Sequence, residues 1–343
     1  MKRLLALLLA LCLLTGCAPA AKEADTTQQY TATFLTLFDT VTTMVGRAEN
    51  EEEFRQTAQA LHDELLEYHR LFDIYHEYDG INNLKTVNDA AGGEAVQVDE
   101  RIIQLLQDCK TFYAVTNGRV NVAMGSVLQL WHESRSDGRD DPLNAELPET
   151  EALKYAAEHM DFSSVIIDEE ASTVRITDPA VQLDVGAIGK GWAVQRVAES
   201  ARDGLLISVG GNVFATGPKD EGGTPWVIGV RDPDGGEEDY LHTLYLKEGA
   251  VVTSGDYQRT YMVDGTLYHH IIDPETLYPS AYWRSVTIVC ADSGTADALS
   301  TALFLLPQAE GQALLDQYDA EAMWVDAEGN AFYSTAFRDL IRT

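Results

Sequence analysis

Apolar residues recur at steps of three and four positions in residues 50–71 and again in residues 98–115. This spacing places the apolar side chains on one face of a helix, so it predicts two amphipathic helices. Asp99, the second residue of the second stretch, is a plausible N-cap, because aspartate is a residue type that caps helix N-termini. Shorter helical patterns are expected at residues 189–202, 294–305 and 308–317.

Short apolar and alternating runs, which are typical of β-strands, dominate residues 163–290. The runs are SSVIIDEEASTVRITD, LLISVGG, PWVIGVRDP, TLYLKEGAVVTSG, RTYMVDGTLYHHIID and SVTIVCA. Asp264 and Gly265 separate two halves of one run, and this dipeptide favours a two-residue hairpin turn. Antiparallel hairpins mixed with packed helices predict an α+β fold.

A polar stretch, ESRSDGRDDPLNAELPET at residues 133–150, interrupts the periodic segments. We interpret it as a surface loop, because polar runs without periodicity are typical of loops. It is the best candidate for a boundary between a helical N-terminal part and a strand-rich part. It is equally consistent with a decoration on one domain.

The N-terminal segment MKRLLALLLALCLLTGC has two basic residues followed by a short apolar run. The run is too short for a membrane span and predicts a signal peptide over residues 1–16. LTGC resembles the bacterial lipobox, which predicts lipidation of Cys17 and anchoring on the extracytoplasmic face of the cell membrane. An ordinary secretory signal is the alternative. Residues 17–30 are small and polar, as in a flexible tether, and the folded domain is expected at 31–343.

Charge and cysteine content narrow the classes of function. The formal net charge of −31 disfavours binding to nucleic acid, since both would carry negative charge. A phosphate-bearing ligand would need a divalent cation, backbone amides or a few lysines at its site. Cys109 and Cys290 lack metal-ligand spacing, so they are expected to be free thiols, with one disulfide as the alternative.

The stretch LDVGAIGKG at residues 183–191 combines three glycines with Asp184 and Lys190 just before a helical pattern. Glycines let backbone N–H groups approach a ligand, and a helix N-terminus favours anions. The stretch therefore suggests an anion site. The spacing matches neither of the common phosphate-loop motifs, so a plain tight turn stays open as the alternative.

In TADALSTALFLL, residues 295–306, Asp297 and Thr301 are four positions apart and so share one helix face. Such a sparse oxygen set suits Mg²⁺, which keeps water and phosphate oxygens as its other ligands. The alternative is an aspartate that balances the helix dipole and a threonine bonded to its own backbone.

The segment YHHIIDP, residues 268–274, follows the predicted hairpin. His269 and His270 would face opposite sides of a strand, so at most one of them enters a given cleft. Asp273 before Pro274 is also consistent with a simple turn. Two further glycine-rich strand ends occur at 208–217 and 251–259. Together with the loop at 183–191, they could line one ligand cleft.

These motifs together resemble the ApbE-type FAD:protein FMN transferases, over nearly all of residues 31–340. The matching stretches, in family order, are LFDIYHEYDGINNLKTVN, GRVNVAMGSVLQLWH, LDVGAIGKGWAVQRV, ISVGGNVFATG, PWVIGVRDP, AVVTSGDYQR, HIIDPETLYP and ADALSTALF. The resemblance implies one globular domain of mixed antiparallel sheets with packed helices, T-fold-like. It also implies Mg²⁺-dependent transfer of the FMN part of FAD to a threonine hydroxyl of another protein, with release of AMP.

The resemblance also implies roles for single residues. Asp184 and Lys190 match FAD contacts, while His270, Ile272 and Asp273 match the motif that lines the reacting centre. The metal ligands would be the backbone carbonyl of Ala187 with the side chains of Asp297 and Thr301. Flavin contacts match Phe38, Asn121 and Tyr75, with Tyr78 as the alternative to Tyr75. His270 would take the threonine proton, or would only contact phosphate.

Two departures from the family pattern bear on the site. Asn121 lies in VNVAMG, where the family commonly has an acidic residue, so a neutral or main-chain contact is expected there. Leu277 occupies the position of a glycine, which puts the turn after Asp273 in doubt.

Two other functions compete with transfer. An FAD pyrophosphatase would use water instead of threonine at the same site, and a lipoprotein that only captures flavin would need no metal. The resemblance and the predicted anchor imply an acceptor threonine in an exposed segment of an extracytoplasmic electron-transfer protein.

Overall fold

The computed structural model describes residues 27–236 and 239–342. Its strands are numbered in chain order: β1 (Gln28–Leu37), β2 (Thr40–Ala48), β3 (Val96–Gln97), β4 (Val165–Asp168), β5 (Thr173–Ile176), β6 (Leu205–Val209), β7 (Asn212–Ala215), β8 (Trp226–Arg231), β9 (Tyr240–Leu246), β10 (Gly249–Gly255), β11 (Tyr261–Val263), β12 (Thr266–Tyr268), β13 (Ser285–Cys290), β14 (Ala320–Val325) and β15 (Ala331–Tyr333).

The helices are α1 (Glu51–Phe72), α2 (Leu84–Asp89), α3 (Glu100–Val115), α4 (Gly125–Asp140), α5 (Thr150–Ala157), α6 (Gly189–Ser200), α7 (Ser293–Phe304) and α8 (Gln308–Leu315). Short 3₁₀ turns occur at Phe162–Ser164 and Phe337–Leu340.

The main sheet has eight strands in the order β1-β2-β6-β7-β10-β13-β14-β15, with every neighbouring pair antiparallel. Three small antiparallel sheets accompany it: β3-β5-β4, the β8–β9 hairpin and the β11–β12 hairpin. Antiparallel sheets with segregated helices define an α+β fold, so the predicted fold class is confirmed.

The core covers both faces of the main sheet. On one face, helices α1, α6 and α7 pack in a single buried cluster that includes Leu65, Trp192 and Leu299. The β8–β9 hairpin covers the other face around Trp226. A third cluster, called the α4–hairpin cluster below, joins α4 and α5 to the β11–β12 hairpin around Trp131. Because continuous apolar packing links the helical and strand-rich parts, they form one globular domain.

The predicted helices and hairpin agree with the structure. Helix α1 lies one residue further along the chain than the predicted helix at 50–71. The Asp99 carboxylate accepts the Arg101 N–H at the start of α3, as expected of an N-cap. Asp264 and Gly265 have φ of 49° and 80°, the left-handed geometry of a type I′ turn.

Two expectations about the regular structure of residues 133–270 are wrong. Residues 133–140 are not loop but the second half of α4, because this polar face still packs at Gly138, where a Cβ would lie 2.7 Å from Tyr261 Cδ2. No domain boundary falls at 133–150. Strand β12 ends at Tyr268, so His269 and His270 follow the strand instead of alternating along it.

The N-terminal expectations lie mostly outside the described residues. The signal peptide and Cys17 fall in residues 1–26 and stay predictions. The tether was expected to reach residue 30, but β1 begins at Gln28, which pairs with Ala48. No helix in 27–236 or 239–342 has the length and apolar character needed to cross a bilayer. Cys109 and Cys290 are free thiols.

Candidate functional site

A cavity of about 510 Å³ opens where four segments meet. They are the turn between β1 and β2, the C-terminal end of α1 with the loop after it, the loop leading into α6, and the loop after β10. The residues that line it are Phe38, Asp39, His69, Phe72, Asp73, Ile74, Tyr75, His76, Glu77, Tyr78, Asp184, Val185, Gly186, Gly189, Lys190 and Arg259. Segments far apart in the sequence thus build one cavity.

Four predicted ligand contacts meet in this cavity: Phe38, Tyr75, Asp184 and Lys190. Tyr78, the alternative to Tyr75, also lines it, but its hydroxyl donates to Asp73 Oδ2 at 2.7 Å. The Tyr75 side chain is 43% exposed. Of the two tyrosines, Tyr75 therefore has the freer ring for stacking on a flat ligand, and the geometry favours it.

The loop after α1 and helix α4 fix the position of Tyr75. The Tyr75 N–H donates to Asp73 Oδ1 at 2.7 Å, and the Tyr75 ring lies 5.3 Å from the ring of His132. Arg135 donates to Nδ1 of His132 at 3.0 Å, so this nitrogen carries no proton. Burial raises the pKa of Tyr75 to about 12, and its hydroxyl stays protonated at neutral pH.

The loop before α6 presents backbone and charge to the cavity. Asp184 Oδ1 accepts the Gly186 N–H at 2.8 Å, and Lys190 Nζ donates to the Gly186 carbonyl at 3.1 Å. At the start of helix α6, the Gly189 N–H donates to the Val185 carbonyl at 2.7 Å and the Gly191 N–H donates to a carboxylate of α7, which leaves the Lys190 N–H. The Lys190 ammonium and its backbone N–H at a helix N-terminus are suited to an anionic ligand, which supports the predicted anion site.

Gly191 has a different purpose from the other two glycines of the loop. A Cβ on Gly191 would lie 2.3 Å from the Ser293 carbonyl oxygen and 2.5 Å from Asp297 Cβ. Gly186 and Gly189 line the cavity, whereas Gly191 lets α6 approach α7 closely. The expectation that all three glycines admit a ligand is therefore wrong for Gly191.

That close approach brings a buried carboxylate to the start of α6. Asp297 is 4% exposed, accepts the Gly191 N–H at 2.8 Å and lies 3.9 Å from Lys190 Nζ. Burial raises the pKa of Asp297, while the Lys190 charge and the Gly191 hydrogen bond oppose that rise. A buried carboxylate with one distant cationic partner is stabilised further by a bound cation.

The predicted metal ligands fit Mg²⁺ in type. Asp297 and Thr301 lie one turn apart on α7, and Ala187 lies in the loop that leads into α6. Among the described residues, no three His, Cys, Asp or Glu side chains group as a metal site. One carboxylate, one hydroxyl and one carbonyl are the sparse hard-oxygen set that Mg²⁺ accepts. The roles of Ala187 and Thr301 stay predictions.

His270 has a defined tautomer and a strongly lowered pKa. Its Nδ1 lies 3.2 Å from the Gln258 carbonyl oxygen, which can only accept, so Nδ1 carries the proton and Nε2 the lone pair. Burial, followed by the charges of Arg259, His269, Arg135 and Lys190, lowers the pKa of His270 to about 3. The imidazole is therefore neutral and able to accept a proton at Nε2.

Three other predicted residues are engaged within the fold. Asp273 is buried and pairs with Arg119 at 2.8 Å. Ile272 is buried in the α4–hairpin cluster. The Asn121 amide donates to the Met160 carbonyl and its oxygen accepts the Ala123 N–H. These contacts support positioning roles, and direct contact with a ligand stays a prediction for all three.

Leu277 retains the turn that a glycine would form. Its φ of 64° is left-handed, its N–H donates to the Asp273 carbonyl at 2.8 Å, and its own carbonyl accepts the Trp131 indole N–H at 2.8 Å. The side chain packs into the α4–hairpin cluster. Hydrogen bonds and packing thus hold a conformation that glycine adopts without strain.

Sequence reasoning missed the cations around His270. Arg259 lines the cavity, and Arg135 is partly buried on α4, where burial and the charge of Arg259 lower its pKa. Within the described residues, no carboxylate pairs with either guanidinium within 4.0 Å. The sequence contained a signal for these two residues, because basic residues are few in this acidic chain. Arg259 ends the matched stretch AVVTSGDYQR, and Arg135 lies in the helix after VAMG.

Comparisons with known proteins agree on one family. The ApbE family matches residues 36–324. An FAD:protein FMN transferase of Treponema pallidum is 33% identical over 277 residues, covering 76% of this chain and 75% of the relative. Another of the same name, from Klebsiella pneumoniae, is 32% identical over 290 residues, covering 81% and 87%.

Solved structures agree with this family and fold. The crystal structure of the ApbE protein from Thermotoga maritima superposes with a TM-score of 0.80 at 32% identity, covering 92% of this chain and all of that one. The flavin transferase ApbE from Vibrio cholerae superposes at 0.76 with 21% identity, covering 92% and 99%, which supports the fold alone.

Proposed function

This chain belongs to the ApbE family, and we propose that it is a flavin transferase that moves the FMN part of FAD to a threonine hydroxyl of an acceptor protein. The observation that carries the proposal is the convergence of Tyr75, Asp184 and Lys190 on one cavity beside the buried Asp297. Tyr75 can stack on a flat ring, Lys190 can pair with an anionic diphosphate, and Asp297 can bind a cation.

The reaction breaks one phosphoanhydride bond and makes one phosphoester bond. The threonine oxygen attacks the phosphorus of the FMN half, and the bond from that phosphorus to the AMP oxygen breaks. The threonine proton passes to Nε2 of His270, which carries a lone pair because Nδ1 donates to Gln258. AMP leaves with the bonding electrons.

Side chains of the cavity orient FAD for this attack. Tyr75 and Phe38 offer aromatic faces to the isoalloxazine ring. Lys190 and the N-terminal end of α6 attract the diphosphate, and Asp184 holds the loop through Gly186. Orientation of this kind brings the phosphorus and the acceptor oxygen into line, which is the main protein contribution to phosphoryl transfer.

Asp297, Thr301 and the Ala187 carbonyl would hold Mg²⁺. When bound, Mg²⁺ supplies positive charge that neutralises the diphosphate and the developing charge of the leaving group. The partial compensation of the buried Asp297 charge by Lys190 at 3.9 Å supports this assignment.

The cations near His270 make the pKa of His270 depend on whether FAD is bound. Without an anion nearby, Arg259, Arg135 and Lys190 help to hold the pKa of His270 low. Burial is the largest cause of the lowered pKa of His270, and the FAD diphosphate offsets only the contribution of these charges, so the pKa rises in part as FAD binds. His270 is thus a stronger base in the substrate complex than in the free enzyme.

We expect Arg259→Gln to lower kcat/KM for FAD about tenfold, since a charge-assisted hydrogen bond to an anion is lost. Removing this positive charge also raises the pKa of His270 in the free enzyme. Because His270 acts in its neutral form, the fall in kcat/KM on acidification should begin at a higher pH in the variant. The measurement is a pH profile of kcat/KM.

Arg139→Gln is the matched control for Arg259→Gln. Arg139 lies one turn beyond Arg135 on α4, is exposed and does not line the cavity. It should keep both the rate and the pH profile of the unmodified enzyme. An Arg259→Gln profile that overlays the original would contradict the role of the cations.

We further propose that Cys17 is lipidated and holds the enzyme on the extracytoplasmic face of the cell membrane, near an electron-transfer acceptor. The sequence LTGC after a short apolar run supports this proposal. Cys17→Ser should move the protein from the membrane fraction to the soluble extracytoplasmic fraction and abolish incorporation of labelled palmitate. Unchanged membrane fractionation and labelling would exclude Cys17 as the anchor.

The products of FAD turnover distinguish transfer from its two competitors. Transfer yields AMP only when a protein acceptor is present, as measured by chromatography of the nucleotides. Free FMN together with AMP in the absence of acceptor would indicate a pyrophosphatase. Bound, intact FAD in all conditions would indicate a flavin-binding protein.

A further inference from the structure

The turn between β1 and β2 is strained, and it forms one wall of the cavity. Leu37 pairs with Thr40, which leaves Phe38 and Asp39 as a two-residue loop with φ of 51° and 52°. Turns of this geometry favour Asn-Gly, because left-handed backbone is unfavourable for other side chains. A strained turn at a ligand cavity needs outside contacts to persist.

One side chain supplies such a contact. The Phe38 N–H donates to Nδ1 of His69 at 3.2 Å, and the two rings meet edge-on with centroids 5.5 Å apart at 84°. Because a backbone N–H can only donate, Nδ1 of His69 is unprotonated and the neutral ring carries its proton on Nε2. His69 also lines the cavity.

We propose that His69 is a positioning residue that fixes the Phe38–Asp39 turn through the Phe38 N–H and thereby holds Phe38 against the bound flavin. The part that concerns flavin rests on the proposed function. The part that concerns the turn does not, since it follows from the backbone geometry and the hydrogen bond alone.

A second histidine–phenylalanine pair, between α1 and β1, provides an internal comparison. About two turns earlier on α1, His62 lies with its ring centroid 4.3 Å from that of Phe34 on β1. His62 contacts Gln59 and Asp63 with its Nδ1, and neither member lines the cavity. Both pairs therefore have a ring contact. Of the two histidines, His69 is the one whose Nδ1 accepts a backbone N–H of the turn.

The charge state of His69 decides whether the turn is held. Burial lowers the pKa of His69. Asp73 on the loop after α1 and Asp39 in the turn oppose this shift, whereas His76 and Arg70 reinforce it. Since Nδ1 accepts only when the ring is neutral, the contact is complete above the usual histidine pKa and is lost as pH falls through the lowered pKa of the folded state.

The test compares His69→Phe, His69→Gln and His62→Phe. Phenylalanine keeps an edge-on ring but has no acceptor, whereas glutamine can still accept the Phe38 N–H. We expect His69→Phe to raise the Kd for FAD and the hydrogen exchange rate of the Phe38 amide, each about tenfold, as for loss of one buried hydrogen-bond partner. His69→Gln should recover part of both, and His62→Phe should change neither.

The pH dependence provides a second readout. FAD affinity of the unmodified protein should fall on acidification, and the difference between it and His69→Gln should follow the lowered pKa of His69. Equal Phe38 exchange and equal FAD affinity in His69→Phe and the unmodified protein would overturn the proposal. If His69→Phe fails to fold, nitrogen NMR of the unmodified protein decides: a proton on Nδ1 of His69 overturns it, and a proton on Nε2 supports it.

Failure of this proposal and failure of the proposed function are separable. The exchange rate of the Phe38 amide tests the turn without any flavin. A protected amide that depends on His69, in a protein that does not transfer FMN, would keep the structural role and reject the enzymatic one.

Discussion

Asp297→Asn is expected to reduce FMN transfer at least about a thousandfold, because a metal ion contributes several kcal/mol of charge stabilisation to such a transition state. Asparagine keeps the shape of the side chain and can still accept the Gly191 N–H that Asp297 accepts at 2.8 Å. It removes the negative charge that holds the cation. The fold should therefore survive while the chemistry is lost.

Single-turnover transfer with FAD and excess acceptor, measured at several magnesium concentrations, checks this prediction. Asp292→Asn is the matched control, since Asp292 caps the N-terminus of the same helix by accepting the Thr295 N–H at 2.6 Å. That control should lose some thermal stability and keep transfer. Full transfer by Asp297→Asn at ordinary magnesium would remove Asp297 from the metal site.

His270→Gln is expected to lower kcat about 10²- to 10⁴-fold, the range for loss of a general base. FAD binding should change little, since the proposed role concerns the acceptor proton. If His270 only contacted phosphate, the substitution would instead raise the KM for FAD with kcat largely retained. Steady-state kinetics with FAD and acceptor varied separately measure both quantities.

His269→Gln is the control for the neighbouring position. Neither histidine is among the residues that line the cavity, but Nε2 of His269 lies 2.8 Å from the Ser280 carbonyl and its ring packs edge-on against Phe304. Its loss should affect stability more than kcat. A larger fall in kcat for His269→Gln than for His270→Gln would reverse the assignment.

Local patterns predicted most of the regular structure. Apolar periodicity located α1 and α3, and the Asp264–Gly265 dipeptide located the β11–β12 hairpin, because these signals depend on residues close in sequence. The polar sequence of the second half of α4 wrongly predicted a surface loop. Its buried contact at Gly138 depends on Tyr261, more than a hundred residues away, and no local pattern reports such a contact.

The site was predictable where chemistry is concentrated in motifs. The pairing of Asp297 with Thr301 followed from helix spacing, and the LDVGAIGKG loop from its glycines and lysine. The function of Gly191 as a packing residue depends on the path of α7, and the function of His69 depends on a turn with two left-handed residues. Both arise from tertiary placement, which sequence spacing does not contain.

The most direct test of the account is the intact mass of a flavin acceptor domain after incubation with the enzyme, FAD and Mg²⁺. The acceptor should carry one threonine in an exposed segment, and a copy with valine at that position is the control. The account predicts a mass gain of FMN minus water on the threonine form only, one AMP per modified acceptor, and no gain with a chelator. Unmodified acceptor with free FMN and AMP, or with intact FAD, would contradict it.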